Sequence, residues 1–224
     1  MGYKTELHYH SSEVSQCARI SVEEIIENYL KEGVSTLVLT NHFSIPTFEH
    51  IKDASWREKC DYFLSAYKKA KEIAGDKMTI LLGMEFRNIY SDNDYLIYGM
   101  TEEFVYKHNT EEKNLIDMHL KEVATLAREE GMLVFQAHPF RNGMTVINPK
   151  YLDGIEVNNG HRRHDSRNDI AALWADKFSL LRCGGSDCHE VGDEAYVLLV
   201  TDKKIKTNKQ LIKALKSEIV LDCK

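Results

Sequence analysis

The sequence predicts a single α/β domain in which strands and helices alternate. Three observations predict it. Short apolar runs rich in β-branched residues, such as "STLVLT" and "MTILLGMEF", recur between segments of helical periodicity, and such runs are typical of buried parallel strands. The alternation is unbroken, with no internal repeat, no low-complexity tract and no linker rich in Pro or Ser along 224 residues. The predicted strands also deliver His, Asp or Glu at one common end, the carboxyl end, where α/β folds gather their functional groups. A chain of this length buries a sizeable core, and single α/β barrels of this size are common.

Residues 3–9 read as the first strand. "SVEEIIENYLKEG" follows as an amphipathic helix, with a capping box from Ser21 to Glu24 and Gly33 at its end. A strand over 35–40 precedes helical periodicity over 55–74, where Tyr62, Phe63, Ala66, Tyr67 and Ala70 form the candidate buried stripe. Strands are predicted over 78–86 and 94–99. A long helix over 114–130 ends at Gly131 and leads into a strand over 132–138. Strand 154–159, helix 166–178, strand 180–187, strand 195–201 and a helix near 208–217, capped by Thr207, complete the order.

With 43% hydrophobic and 29% charged residues, the composition is that of an ordinary soluble globular protein. The formal net charge of −6 argues against a nucleic acid polymer as partner, although net charge says little about one cleft. The basic run Lys203–Lys206 reads as a solvated turn. Five cysteines, an odd number without a C-x-x-C, suggest a reduced, cytoplasmic protein. Lys4 and Glu6 argue against a signal peptide, and no apolar run approaches membrane length, so no membrane partner is expected. Glu6 also stands where a myristoylation signal wants Ser or Thr.

The chemistry sits at the strand ends. In "ELHYH", Glu6, His8 and His10 occupy alternate positions and would share one face of an extended strand. The second strand leads to Asn41 and His42, and the third delivers Glu85. "MLVFQAH" ends in His138, followed by Pro139, Phe140 and Arg141, and "LLRCGG" leads into Ser186, Asp187 and His189. Each piece alone is ordinary, because H-x-H and D-x-H are weak motifs. Together they point to a metal site, since imidazole and carboxylate are ligands of Zn, Mn and Fe.

These motifs resemble, in order and over nearly the whole chain, those of the PHP (polymerase and histidinol phosphatase) superfamily. "ELHYH" is similar to its D-x-H-x-H opening, "TNHF" to its T-D-H, "QAHPFR" to its A-H-P and "GGSDCHE" to its G-S-D-x-H. "GMEF" matches its glutamate strand and "GIEVNNG" a common late strand. The resemblance implies a distorted (β/α)7 TIM-like barrel with two or three divalent metal ions and phosphoester hydrolysis. It implies that His8, His10, Glu85 and Asp187 hold one metal. Glu85 would bridge to a second metal with His138, and His42 and His189 would help to hold a third. Asp94, opening "DYLIYG", falls near a further ligand position; its other reading is a solvent-facing strand start. Glu6 and Asn41 replace the usual aspartates. Glu13 and Cys17 are candidates for a ligand soon after H-x-H, with Cys17 equally readable as a small buried hydrophobe. Cys188 reads as filling space between two ligands.

Bound metals polarise a phosphoryl group and lower the pKa of a bridging water, which makes a metal-bound hydroxide available for attack near neutral pH. Glu85 suits a bridging role, and its burial without a partner would be costly. His189 or His42 is a candidate proton source for the leaving group. Arg141 is placed to hold phosphate oxygens. Arg162, Arg163 and His164 are candidates for the same task; for Arg163 a salt-bridged loop is the preferred reading. Asn159 is expected to line the pocket. The expected substrate is a small phosphorylated metabolite or nucleotide. Two alternatives stay open: a non-catalytic module of this fold, and a metal-dependent hydrolase of a non-phosphate bond. The latter typically adds a bridging lysine, and no lysine closely follows "MTILLGMEF". Neither the identity of the metal nor the oligomeric state is readable.

Overall fold

The structure, a computed structural model, describes residues 2–224. The strands are β1 (Tyr3–Glu6), β2 (Val34–Leu39), β3 (His42–Phe43), β4 (Thr79–Phe86), β5 (Tyr95–Tyr98), β6 (Leu133–Gln136), β7 (Gly154–Asn159), β8 (Leu181–Gly185), β9 (Val197–Thr201) and β10 (Val220–Cys223). They form one sheet in the order β10-β9-β1-β2-β4-β5-β6-β7-β8, with β3 paired to β4. The sheet curls into a nearly closed barrel. Beyond β1 the chain completes the closure: Asp187 N donates to His8 O at 2.8 Å and His10 N to Cys188 O at 3.0 Å. The barrel is thus joined at its carboxyl end, beside the histidines. The expected distorted TIM-like α/β barrel, a single domain, is what forms.

The distortion has a use. β5 runs antiparallel to both β4 and β6. Its amino end therefore lies at the carboxyl ends of its neighbours, which brings Asp94 to the rim. β9 is antiparallel to β1 and β10 to β9; β10 was not among the predicted elements.

The helices are α1 (Val22–Lys31), α2 (Ile45–Phe48), α3 (Trp56–Ala74), α4 (Glu102–Lys107), α5 (Leu120–Glu129), α6 (Asn168–Phe178) and α7 (Asn208–Leu215). Capping boxes at Ser21–Glu24 and Ser55–Glu58 fix the starts of α1 and α3. Of the stripe on α3, Phe63, Ala66 and Ala70 are buried, while Tyr62 and Tyr67 pack at its edge. The helix expected over 114–130 is shorter. The Asn114 side chain caps a separate 3-10 turn at Leu115–Asp117, Met118 is extended, and α5 starts only at Leu120. Asn favours such local caps over continuous helix.

An apolar cluster drawn from most of the barrel strands fills the interior: Leu7, Val38, Leu81, Leu96, Leu133 and Phe135, with Leu211 and Leu215 of α7 packed against it. Each such side chain contributes about 1.5–3 kcal/mol on burial. Among the described residues, no helix is long and apolar enough to cross a membrane.

Candidate metal centre

At the carboxyl end the interior changes from apolar to charged. His8 and His10 follow β1 and are fully buried, with Nε2 atoms 3.2 Å apart. Gly185 of β8 allows this approach, because a Cβ there would lie 2.4 Å from the Cβ of His8. The other ring nitrogen of each histidine is anchored. His8 Nδ1 meets Glu156 Oε1 at 2.9 Å, and His10 Nδ1 meets Ser15 Oγ at 3.2 Å. Ser15 Oγ donates its own proton to Asn41 Oδ1 at 2.9 Å, so it accepts from His10. His189 Nδ1 meets the Asp187 carbonyl oxygen at 2.9 Å. A carboxylate and a carbonyl only accept, so this network puts the proton of all three neutral imidazoles on Nδ1 and leaves Nε2 a bare lone pair.

Two carboxylates face these rings. Glu85 of β4 places Oε1 3.1 Å from His138 Nε2 and Oε2 2.9 Å from His42 Nδ1 and 3.2 Å from His10 Nε2. Asp187 Oδ1 lies 3.4 Å from the Nε2 of both His8 and His10. Burial alone would raise both acids, but the surrounding histidines hold Glu85 and Asp187 well below the usual carboxylate range. Burial would lower His8 and His42. Asp187, Glu156 and Glu85 hold His8 well above the ordinary imidazole value, and Glu85 with Cys17 does the same for His42.

The donor set fits a cation. His8, His10 and Glu85 offer atoms within 4.8 Å of one another, as do His42, Glu85 and Asp94, and His10, His42 and His189. Bare lone pairs 3.2 Å apart repel unless a proton or a metal lies between them. His138 Nδ1 is buried without a partner. His138 and Asp187 also hold φ of 27° and 50°. Non-glycine residues held in that region cluster at functional sites.

Other expected residues fall in different places. Asp94 is buried, not solvent-facing; Arg87 grips it with two 2.7 Å bonds, and Arg141 Nη2 lies 3.4 Å away. Glu6 leaves the histidine face because regular β1 ends at it. Its carboxylate accepts from the amides of Leu7, His8 and Ser186 and from the Tyr29 hydroxyl. Asn41 binds Ser11 and Ser15 and so steadies His10. Glu13 binds the start of α1 and Lys69, away from the cluster. Cys17 is exposed on the cleft; His189 and His42 beside it overcome burial and pull its thiol down to about 5. Cys188 is buried, and burial pushes its thiol up.

Two substrate-contact expectations require correction. Asn159 does not line the cleft. Its amide nitrogen donates to Glu156 Oε2 at 2.9 Å and Asp187 Oδ2 at 3.0 Å, which makes it a brace for the site. Arg162 points away, with Nη1 on the Gly192 carbonyl and its guanidinium over Tyr196. Arg163 is salt-bridged to Glu190 and Asp193, yet it lines the cleft. The sequence reading missed Glu156 and Arg87. Arg87 was legible as the residue two beyond Glu85, just past the end of β4; Glu156 was hidden inside an apolar run. A cleft of about 450 Å³ opens over the cluster, with Arg19, Arg87, Arg141 and Arg163 in its lining.

The profile of one family, the PHP domain, matches residues 6–220. No curated protein matches the sequence. Among solved structures, a two-domain protein from Bacteroides vulgatus containing a predicted PHP-like metal-dependent phosphoesterase is 16% identical with a TM-score of 0.71, over 100% of this chain and 65% of that one. The lesion-specific endonuclease Q from Pyrococcus furiosus is 18% identical with a TM-score of 0.63, over 99% of this chain and 58% of that one. Endonuclease Q in complex with a 27-mer duplex bearing an abasic lesion at the active site is 16% identical with a TM-score of 0.64, over 96% and 57%. This last structure overturns the argument from net charge against a nucleic acid polymer, because the same fold carries a DNA complex. The physical reason is local: Arg19 and Arg141 reach the cleft without a close ion pair, so an overall charge of −6 does not decide what this one cleft can meet.

Proposed function

The chain belongs to the PHP domain family, and from that premise we propose that it is a metal-dependent phosphoesterase. The observation that carries the reading is the buried set His8, His10, Glu85 and Asp187 at the floor of an arginine-lined cleft. Glu85 has one oxygen toward His138 and the other toward His42 and His10, which suits a bridging ligand. His8, His10, Glu85 and Asp187 would hold one divalent ion, and Glu85 with His138 and Asp94 would supply ligands for a second. His42 and His189, with Cys17 beside them, would help to hold a third. Imidazole and carboxylate together suit Zn, Mn or Fe. Such ions polarise a phosphoryl oxygen and acidify a water.

The residues of the chain do the rest. Arg141 has only a 3.4 Å contact to Asp94, so its remaining donors are free for non-reacting phosphate oxygens. Arg19, exposed at the mouth, adds a second cation. His189 lines the cleft beside Cys17 and would carry a proton toward the leaving oxygen only in a state in which its Nε2 is not committed to metal. The substrate is a phosphate ester of a small metabolite or nucleotide, a size that a 450 Å³ cleft accepts; the likeness to endonuclease Q adds polynucleotide diesters to the candidates.

The test is metal content by elemental mass spectrometry on protein purified without chelator or nickel, followed by phosphate release from monoesters, nucleotides and duplex DNA with the metal found. Two or three equivalents and turnover of one ester class are expected. Fewer than one equivalent after incubation with Zn, Mn and Fe would overturn the reading.

A further inference from the structure

The loop after β7 places two histidines, His161 and His164, against the cluster, and none of the sequence motifs contains them. Their hydrogen bonds differ. His161 Nδ1 accepts from the Arg163 amide at 3.1 Å and its Nε2 lies 3.5 Å from Arg163 Nη2, so both ring nitrogens face donors.

His164 is the opposite case. Its Nδ1 lies 3.1 Å from Ser166 Oγ. Ser166 in turn donates to Asn159 Oδ1 at 3.1 Å. That amide oxygen is identified independently, because it also accepts the His161 backbone amide at 3.0 Å while Asn159 Nδ2 donates to the carboxylates of Glu156 and Asp187. The single Ser166 proton is thus committed, and Ser166 must accept from His164 Nδ1. The Nε2 of neutral His164 is left a bare lone pair, buried and without a hydrogen-bond partner, 3.7 Å from Asp187 Oδ2. This is the arrangement of His8 and His10: Nδ1 fixed to an acceptor, Nε2 turned inward beside a carboxylate.

Asp187 divides its oxygens accordingly. Oδ1 lies 3.4 Å from the Nε2 atoms of His8 and His10, whereas Oδ2 faces His164 and Asn159. Two ligand atoms at roughly 2.0–2.2 Å from one Zn-like ion lie no more than about 4.2 Å apart, so 3.7 Å needs no movement of the backbone. We infer that His164 is an additional metal ligand, which binds a divalent ion through Nε2 on the Oδ2 side of Asp187. The added imidazole biases that position toward Zn, Fe or Co over Mg. Ser166 and Asn159 are positioning residues that set the tautomer. The inference rests on the reading of the cluster as a metal centre.

The experiment is titration of the metal-stripped chain with Co²⁺, followed by visible absorption and competition with a chelating dye, for wild type, His164→Ala and Ser166→Ala. Wild type is expected to bind at least two equivalents. His164→Ala should weaken one of them roughly 10–100-fold and change its absorption band while the others stay as they were, and Ser166→Ala should weaken the same equivalent by less. Thermal unfolding of the metal-free variants checks folding, and Ser166→Ala carries the test if His164→Ala does not fold. Unchanged Co²⁺ binding in the folded variants overturns the assignment, even if KM for a phosphate ester rises, for His164 would then be a phosphate contact. A wild-type chain that takes up less than one equivalent removes the metal-centre reading itself, and the inference with it.

Discussion

Leu7 lies in the apolar plug of the barrel, and the next residue, His8, lies in the charged cluster. Phe135 on β6 and His138 just past its end repeat the contrast three residues apart, and Leu81 and Glu85 four apart along β4. The same strands build both ends of one interior. At one end Leu, Phe and Val remove apolar surface from water. At the other, Glu85, Glu156, Asp187 and Asp94 are buried to 2% exposure or less. Buried charge seldom stabilises a fold better than apolar packing, so the charged end serves chemistry and the plug serves stability. Position along a strand, rather than the identity of the strand, decides which.

Substitutions at each end should separate the two. Glu85→Ala and Asp187→Ala have the largest expected effect: loss of phosphoester turnover by at least about a thousandfold, in the range of removing a principal charge-stabilising group. Circular dichroism and cooperative unfolding should stay close to wild type. Turnover near wild type in either variant would break the division. Phe135→Ala should do the reverse. The side chain is fully buried, with its ring centroid 5.4 Å from that of Tyr98. Its loss should cost about 3–5 kcal/mol and lower the melting temperature by roughly 6–20 °C, with kcat per folded molecule retained. A fall in kcat without a fall in melting temperature would show that the two ends are coupled.

Glu156→Gln sharpens the boundary, because Glu156 touches both zones. It lies on β7 among apolar neighbours, yet it accepts from His8 Nδ1 and from the His138 amide. A glutamine keeps the shape but not the pure acceptor. Metal affinity should fall about 10–100-fold, measured by the same dye competition, with a smaller change in melting temperature than Phe135→Ala gives.

Much of the fold was legible because its signals are local. The Ser21 capping box, helical periodicity and apolar runs placed α1, α3, β2 and β4 within two residues. Signals that depend on partners were not. β10 reads "VLDC", which is too short and mixed to stand out, and becomes a strand only because β9 offers it an edge. The antiparallel setting of β5 has no mark in the sequence, so Asp94 read equally well as a solvent-facing residue. The cluster itself was visible as polar residues at strand ends. Its supports were not: Glu156 looks like part of an apolar strand, and Asn159 and Arg162 are alike in being polar residues at or just past the end of β7. Only the fold turns one toward Asp187 and the other toward Gly192.

The smallest effect expected is a pH dependence, and it tests whether the charged end is tuned for a cation. In metal-free protein His8, His42 and His189 sit above their ordinary value. A raised imidazole contributes stability fully below the unfolded value of about 6.5 and loses it as pH rises through the folded value. Glu85 and Asp187 are depressed, so their contribution is present above about pH 4 and lost only in stronger acid. Both contributions therefore coexist near pH 5–6.5, and the metal-free melting temperature should fall from pH 6 to 8.5 by a few degrees, at about 1.4 kcal/mol per unit of imidazole shift. A bound divalent ion needs these imidazoles neutral and replaces their protons. The melting temperature of the loaded protein should then be nearly flat, and the gap between loaded and stripped forms should widen with pH. A metal-free melting temperature that stays level or rises over that range would mean that the histidines do not hold their protons against Glu85 and Asp187, and that the charged end is stable for another reason.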